Sequence, residues 1–175
     1  MLRRIILKQL AAEERKLGGD SMDYLRHIAR TSLPAFFKFA LFAPLAAHRS
    51  ALPADAYHVA RLVATRHEDC GTCVQIVVNL ARRDGVSPEV LRAALDGRPD
   101  KLPYALAYVY RFAEAVVEAT GAEDEWRERV RQHYGERALV ELALGIASAR
   151  VFPTTKRALG YAQSCALVRI EVRDS

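Results

Sequence analysis

The sequence predicts an all-α protein whose helices pack around a single core. Apolar residues recur at helical spacing through most of the chain, Gly and Pro residues stand where such helices would end or begin, and strand-like alternation is nearly absent. The chain has 175 residues, of which 51% are hydrophobic and 27% are charged. It is therefore long enough to bury a core and too apolar to be disordered, and no linker divides it into two domains.

The predicted helices of the N-terminal half begin after a capping residue or a proline and end at a glycine or a short loop. They cover residues 3–17, a short stretch after Asp20-Ser21, an apolar stretch from Ser32-Leu33-Pro34, residues 53–66 and residues 70–84, with a loop at 66–69.

The same signals continue through the C-terminal half and predict five more helices. These begin at Ser87-Pro88-Glu89 and end near Gly97, cover residues 103–120, 123–134 and 136–150, and extend from Thr154 or Thr155 to about Cys165. Pro153 is expected to break or kink the chain between the last two. The segment Leu167–Val172 alternates like a strand but has no evident partner. The helix-break-helix pattern of Ala54–Asp84 recurs at Glu136–Gln163, which allows a duplicated helical hairpin.

The net charge of +5 does not indicate a nucleic-acid-binding protein. Arginine supplies 21 and lysine 5 of the 26 basic residues, and acidic residues are interspersed with them, as in Glu123–Arg129. Nucleic-acid-binding proteins usually gather their basic residues in one stripe or one helix. We therefore expect no nucleic-acid partner.

Cysteine content and hydropathy predict the compartment. Three cysteines are too few for a disulfide scaffold, and an odd number suits a reducing environment. The first ten residues lack the long apolar region and cleavage site of a signal peptide. The longest apolar stretch, residues 33–47, contains two prolines and a lysine and is too short to span a bilayer. We expect a soluble, cytoplasmic protein with no membrane partner.

The segment Cys70-Gly71-Thr72-Cys73 carries the chemistry of the chain. Two thiols at this spacing can form a local disulfide, and the free amides and dipole of a helix start favour a thiolate. Glu68 and Asp69 are expected to cap this helix. Two alternatives remain open: the cysteines are small buried hydrophobic residues, or they bind zinc together with His67 and a distant fourth ligand.

These residues and their surroundings resemble the alkylhydroperoxidase D / carboxymuconolactone decarboxylase family. The resemblance lies in the cysteine pair, in the run Gly85-Val86-Ser87-Pro88-Glu89 after the following helix, and in the segments 139–144 and 156–160. It implies an alkylhydroperoxidase D-like helical bundle over residues 34–165. Residues 1–33 would then be an N-terminal helical extension, and residues 166–175 a C-terminal tail.

The redox members of this family carry the pattern Glu-x11-Cys-x-x-Cys-x3-His, in which the cysteines cycle between dithiol and disulfide while the Glu and His relay protons. The resemblance places Cys73 in the peroxidatic position and Cys70 in the resolving position. His58 stands at the Glu position and Val77 at the His position, so both relay residues differ from the pattern. His58 and His67 are the remaining candidate bases for the thiol.

The resemblance implies a thiol-dependent oxidoreductase that reduces peroxides or disulfides and needs no cofactor beyond its redox-active disulfide. Its expected partners are a small-molecule peroxide or other small substrate, a thiol reductant and further copies of the chain. Surplus apolar helical surface, including the Tyr104–Phe112 face, also favours a homo-oligomer. Two alternatives remain: a carboxymuconolactone decarboxylase-like enzyme acting on a small carboxylic acid, and a non-catalytic oligomeric member of the fold.

Overall fold

A computed structural model describes residues 2–16, 22–162 and 168–170. Within these ranges the chain forms ten α-helices and one 3₁₀ turn and no strand, which confirms the predicted all-α class. The helices are α1 (Leu2–Lys16), α2 (Asp23–Thr31), α3 (Leu33–Ala40), α4 (Phe42–Ala46), α5 (Ala54–His67), α6 (Gly71–Arg83), α7 (Pro88–Leu95), α8 (Tyr104–Glu118), α9 (Glu123–Tyr134) and α10 (Glu136–Ala158), with the 3₁₀ turn at Pro99–Lys101.

Helix α5 lies at the centre of the fold. It contacts α6, α7, α8 and α10, and every residue from Ala56 to Thr65 is buried. Alanines recur along this segment at positions 56, 60 and 64, which lets the neighbouring helices approach closely. A helix buried on all sides has no access to bulk water, so each of its polar side chains needs a partner inside the protein.

Helices α5 and α10 meet at a glycine. A Cβ atom at Gly145 of α10 would lie 2.8 Å from Cε2 of Tyr57, so only a residue without a side chain leaves room for this ring. The Tyr57 hydroxyl donates a hydrogen bond to the carbonyl oxygen of Ala46 at the end of α4. Tyr57 therefore links three helices at one point.

The buried carboxylate of Glu141 on α10 holds the loop that leads into α5. Ser50 Oγ donates to it at 2.6 Å, and the backbone N–H groups of Ser50, Ala51 and Leu52 donate at 2.9–3.0 Å. Although burial opposes ionisation, these hydrogen bonds lower the pKa of Glu141 to about 2. One ionised side chain thus accepts hydrogen bonds from the three backbone N–H groups of the loop before α5, and it joins this loop to α10.

The predicted break at Pro153 is wrong, because residues 136–158 form one helix with the proline inside it. Pro153 has no N–H to donate and disturbs the turn before it. The hydroxyls of Thr154 and Thr155 each donate to the carbonyl four residues earlier at 2.7 Å. Pro153 itself is buried, so its packing against the core offsets the lost hydrogen bond and the helix continues through it.

Because Glu136–Ala158 is a single helix, the predicted second helical hairpin is also wrong within the described residues. The described part of the C-terminal tail, residues 168–170, is not a strand. The side chain of Gln75 on α6 instead bonds both the N–H and the carbonyl of Arg169, at 2.6 and 2.9 Å. Cys165 lies outside the described residues.

Helix α10 has the length and composition of a membrane-spanning helix, and half of its most apolar window is buried inside the protein. A core helix passes the same test, and the hydrogen-bonded carboxylate of Glu141 lies on this helix. The apolar character of α10 is therefore weak evidence for a membrane span.

The N-terminal helices build a small apolar cluster of their own from Ile6, Leu10, Ala29 and Phe36. Phe36 belongs to α3, so this cluster continues beyond residue 33, where the sequence places the end of the extension. The boundary between extension and domain remains a prediction.

The aromatic residues of α8 divide between the core and the surface. Tyr110 and Phe112 are buried, whereas Tyr104 is 66% exposed and Tyr108 packs against Trp126 of α9. The surface expected for subunit contact is therefore reduced to the beginning of α8. Self-association remains a prediction.

Replacing Glu141 by Gln should lower the free energy of unfolding by about 2–3 kcal/mol at pH 7, because an amide NH₂ group would then face backbone N–H donors. The folded carboxyl has a pKa of about 2 against an ordinary 4.5. As the pH falls from 4.5 towards 2, the unfolded chain binds a proton that the folded protein resists, so wild type loses this stabilisation and approaches the variant.

Denaturant unfolding of both proteins at pH 7 and pH 3 measures this difference. Glu118→Gln, at an exposed glutamate that ends α8, is the matched control and should leave stability nearly unchanged. A Glu141→Gln variant as stable as wild type at pH 7 would contradict the role of this carboxylate.

Candidate functional site

The two cysteines lie at the N-terminal end of α6. Cys70 is the N-cap residue and Cys73 lies in the first turn. Their sulfur atoms are bonded to each other, with the Cα atoms 5.3 Å apart, a separation typical of disulfides. When the pair is reduced, the free amides and the dipole of this helix end favour the thiolate of Cys73.

A cavity of about 520 Å³ lies beside Cys73, between α2, α4, α5, α6 and α10. Its walls are mostly apolar and include Val77, which stands at the family's His position. Cys70 does not line this cavity. It lines a separate depression of about 430 Å³, together with Val168 and Ile170 of the tail. The two sulfur atoms therefore belong to residues that border different spaces.

His58 of α5 lines the same cavity as Cys73 and is 2% exposed. Its Nε2 lies 2.9 Å from Oδ2 of Asp84, and Nη2 of Arg49 lies 3.7 Å from that same oxygen. Burial lowers the pKa of His58 from 6.5, outweighing the opposite effect of Asp84, so the imidazole is neutral at pH 7.

The contact with Asp84 assigns the tautomer of His58, because a neutral imidazole that donates from Nε2 keeps Nδ1 as an acceptor. Nδ1 has no hydrogen-bond partner among the described residues. His58 therefore carries a basic nitrogen without a partner, and the residue lines the same cavity as Cys73.

His67, the other predicted base, is not brought to this cavity. It is exposed at the C-terminal end of α5 and lines neither the cavity beside Cys73 nor the depression beside Cys70. Over the described ranges, no three His, Cys, Asp or Glu side chains come together as metal ligands, so the zinc alternative lacks its ligand set there.

Two further polar residues of α5, Arg61 and Thr65, line the cavity and are 8% and 1% exposed. Together with His58 they stand at positions i, i+3 and i+7, on one face of the helix. Arg61 Nε and Thr65 Oγ1 have no hydrogen-bond partner among the described residues. Neither Arg61 nor Thr65 is among the residues predicted from the sequence, although a polar stripe in an apolar helix is the signal that marks them.

Lys156 of α10 brings a positive charge to the disulfide. It is 4% exposed and lines the cavity. Its Nζ donates to Oγ1 of Thr72 at 3.0 Å, and the Cys70 sulfur lies 3.6 Å from that same oxygen. A nearby ammonium group stabilises a thiolate relative to a thiol.

The predicted capping role of Glu68 and Asp69 is wrong, because no side chain caps α6. Glu68 instead accepts a hydrogen bond from Arg150 Nε of α10, and its second carboxylate oxygen lies 2.9 Å from Thr154 Oγ1. This ion pair joins the loop before α6 to α10 and partly neutralises a negative charge that would otherwise oppose thiolate formation.

No protein-family model matches this chain, and no curated protein or solved structure is significantly similar to it. Similarity to the alkylhydroperoxidase D / carboxymuconolactone decarboxylase family therefore remains a prediction from the residues quoted above.

If His58 accepts the Cys73 proton, alkylation of Cys73 by iodoacetamide should show a step below pH 6.5, where the imidazole loses its own proton. The measurement uses reduced Cys70→Ser protein, so that one thiol of the pair reacts, and follows labelling at Cys73 by mass spectrometry. This step is separate from the later rise at the ordinary thiol pKa of about 8.5.

His58→Gln should abolish the lower step, whereas the exposed His67→Gln control should retain it. Identical pH profiles for all three proteins would contradict a proton transfer between Cys73 and His58.

Proposed function

We propose that the protein is a thiol-dependent oxidoreductase that reduces a small hydroperoxide through Cys73 and Cys70. The observation that carries this proposal is the placement of Cys73 alone of the pair at a mostly apolar cavity that is also lined by His58, whose neutral imidazole has no hydrogen-bond partner at Nδ1 among the described residues. A thiol at a helix N-terminus, beside a base and shielded from bulk water, is suited to nucleophilic attack.

The proposed cycle begins when His58 Nδ1 takes the proton of the Cys73 thiol. The thiolate attacks one oxygen of the hydroperoxide, the O–O bond breaks, and the leaving alkoxide takes that proton to become an alcohol. Cys73 is then a sulfenic acid, oxidised by two electrons. The Cys70 thiol attacks its sulfur, which forms the disulfide and releases water.

An external dithiol is proposed to complete the cycle. It reduces the Cys70–Cys73 disulfide by thiol–disulfide exchange and is itself oxidised to a disulfide. The depression beside Cys70 gives such a reductant a route that the hydroperoxide does not use. The cycle needs a reducing compartment, so a cytoplasmic location is part of this proposal.

The resemblance to the alkylhydroperoxidase D family supports the same reaction. His58 occupies the position of the family's Glu, and the base in the proposed cycle therefore comes from α5 and not from Val77 on α6. An alkylhydroperoxidase D-like bundle over residues 34–165, assembled as a homo-oligomer, is part of this proposal.

Steady-state reduction of cumene hydroperoxide, with dithiothreitol as the reductant, tests the proposal. Cys73→Ser and Cys70→Ser should each lower turnover by about 100-fold or more, because each removes one sulfur of the cycle. Cys165→Ser is the matched control and should keep wild-type turnover. Turnover that survives loss of Cys73, or no turnover in wild type, would contradict the proposed function, and the second result would favour the decarboxylase or non-catalytic alternative.

A further inference from the structure

The cavity beside Cys73 is lined by a buried cation, Arg61, which Asp84 stabilises only through space and not as an ion pair. Arg61 is 8% exposed, takes part in no ion pair of the described residues, and its Nε has no hydrogen-bond partner there. Its Cζ lies 5.3 Å from the centre of the Tyr57 ring. A ring face offsets only part of the free energy that burying a guanidinium costs.

Two further residues on the same face of α5, His58 and Thr65, also have a buried side-chain atom without a hydrogen-bond partner among the described residues. His58 Nδ1, Arg61 Nε and Thr65 Oγ1 are the buried side-chain nitrogen and oxygen atoms without a partner among the described residues. All three residues line one cavity. Buried polar atoms without partners are rare in folded proteins, so the two that can donate, Arg61 Nε and Thr65 Oγ1, indicate a ligand that accepts hydrogen bonds, whereas His58 Nδ1 is the acceptor proposed for the Cys73 proton.

The charges around the cavity indicate that this ligand is an anion. Four basic residues line it, namely Arg49, Arg61, Arg83 and Lys156. The single acidic residue in its lining, Asp84, already bonds His58 at 2.9 Å. A cavity lined by an excess of positive charge attracts negatively charged molecules and raises their local concentration.

We propose that this cavity binds an amphiphilic carboxylate, with the carboxylate on Arg61 and Thr65 and an apolar body against Ile76, Leu80 and Phe152. The planar guanidinium matches the two oxygens of a carboxylate, and the Thr65 hydroxyl can donate to the same group. A volume of about 520 Å³ is in the range of small-molecule sites. If the proposed function holds, on which this assignment rests, the substrate class is a hydroperoxide that carries a carboxylate.

Calorimetric titration of the disulfide form with decanoate and with decanamide tests this proposal, since the two probes share a chain and differ in charge. Wild type should bind decanoate about tenfold or more tightly than decanamide. Arg61→Met should remove this preference, and decanoate should raise the unfolding temperature of wild type but not of the variant. Arg137→Met, at an exposed arginine of α10, is the matched control and should behave like wild type.

Thr65→Val keeps the shape of its side chain and tests the same site if Arg61→Met fails to fold. It should weaken decanoate binding several-fold and leave decanamide binding unchanged. Equal affinity of wild type for the two probes, or a charge preference that survives Arg61→Met, overturns the proposal. Because binding is measured without turnover, decanoate binding in a protein that lacks peroxidase activity would reject the redox function and keep the ligand class.

Discussion

A helix that is buried on every face cannot expose its polar side chains to bulk water, and this constraint on α5 determines where the cavity of the proposed site lies. Residues 56–65 are all buried, yet they include His58, Arg61 and Thr65. The surrounding helices cover the rest of α5 with apolar side chains and leave one cavity along this stripe. Glu141 joins the loop before α5 to α10, and this contact helps to orient α5 and its polar face.

The position of the cysteine pair connects this stripe to the proposed reactive centre. One face of α6 lines the cavity from Cys73 to Arg83, whereas the N-cap Cys70 borders the depression that Val168 and Ile170 of the tail also line. A disulfide between these residues therefore joins two separate spaces. This arrangement would let an oxidant and a reductant reach the same bond from different sides, which a thiol–disulfide cycle can use.

Local features of the sequence are sufficient to predict the helical class, most helix ends and the cysteine pair, because capping residues, periodicity and Cys-x-x-Cys spacing act within a few residues. Contacts between distant segments could not be predicted this way. Asp84 sets the tautomer of His58 from 26 residues away, and Glu68 bonds α10 instead of capping α6. The continuity of α10 through Pro153 likewise depends on the tertiary packing of the buried proline.

The central claim is that the oxidant reacts with Cys73. Chemical trapping of the oxidised sulfur tests this claim most directly. Reduced Cys70→Ser protein, briefly exposed to one equivalent of cumene hydroperoxide and then to dimedone, should carry the dimedone adduct at Cys73, because no resolving thiol removes the sulfenic acid. Reduced Cys73→Ser protein treated identically should carry none at Cys70. Equal labelling of Cys70 and Cys73 in the two variants, or labelling of neither, would contradict the assignment.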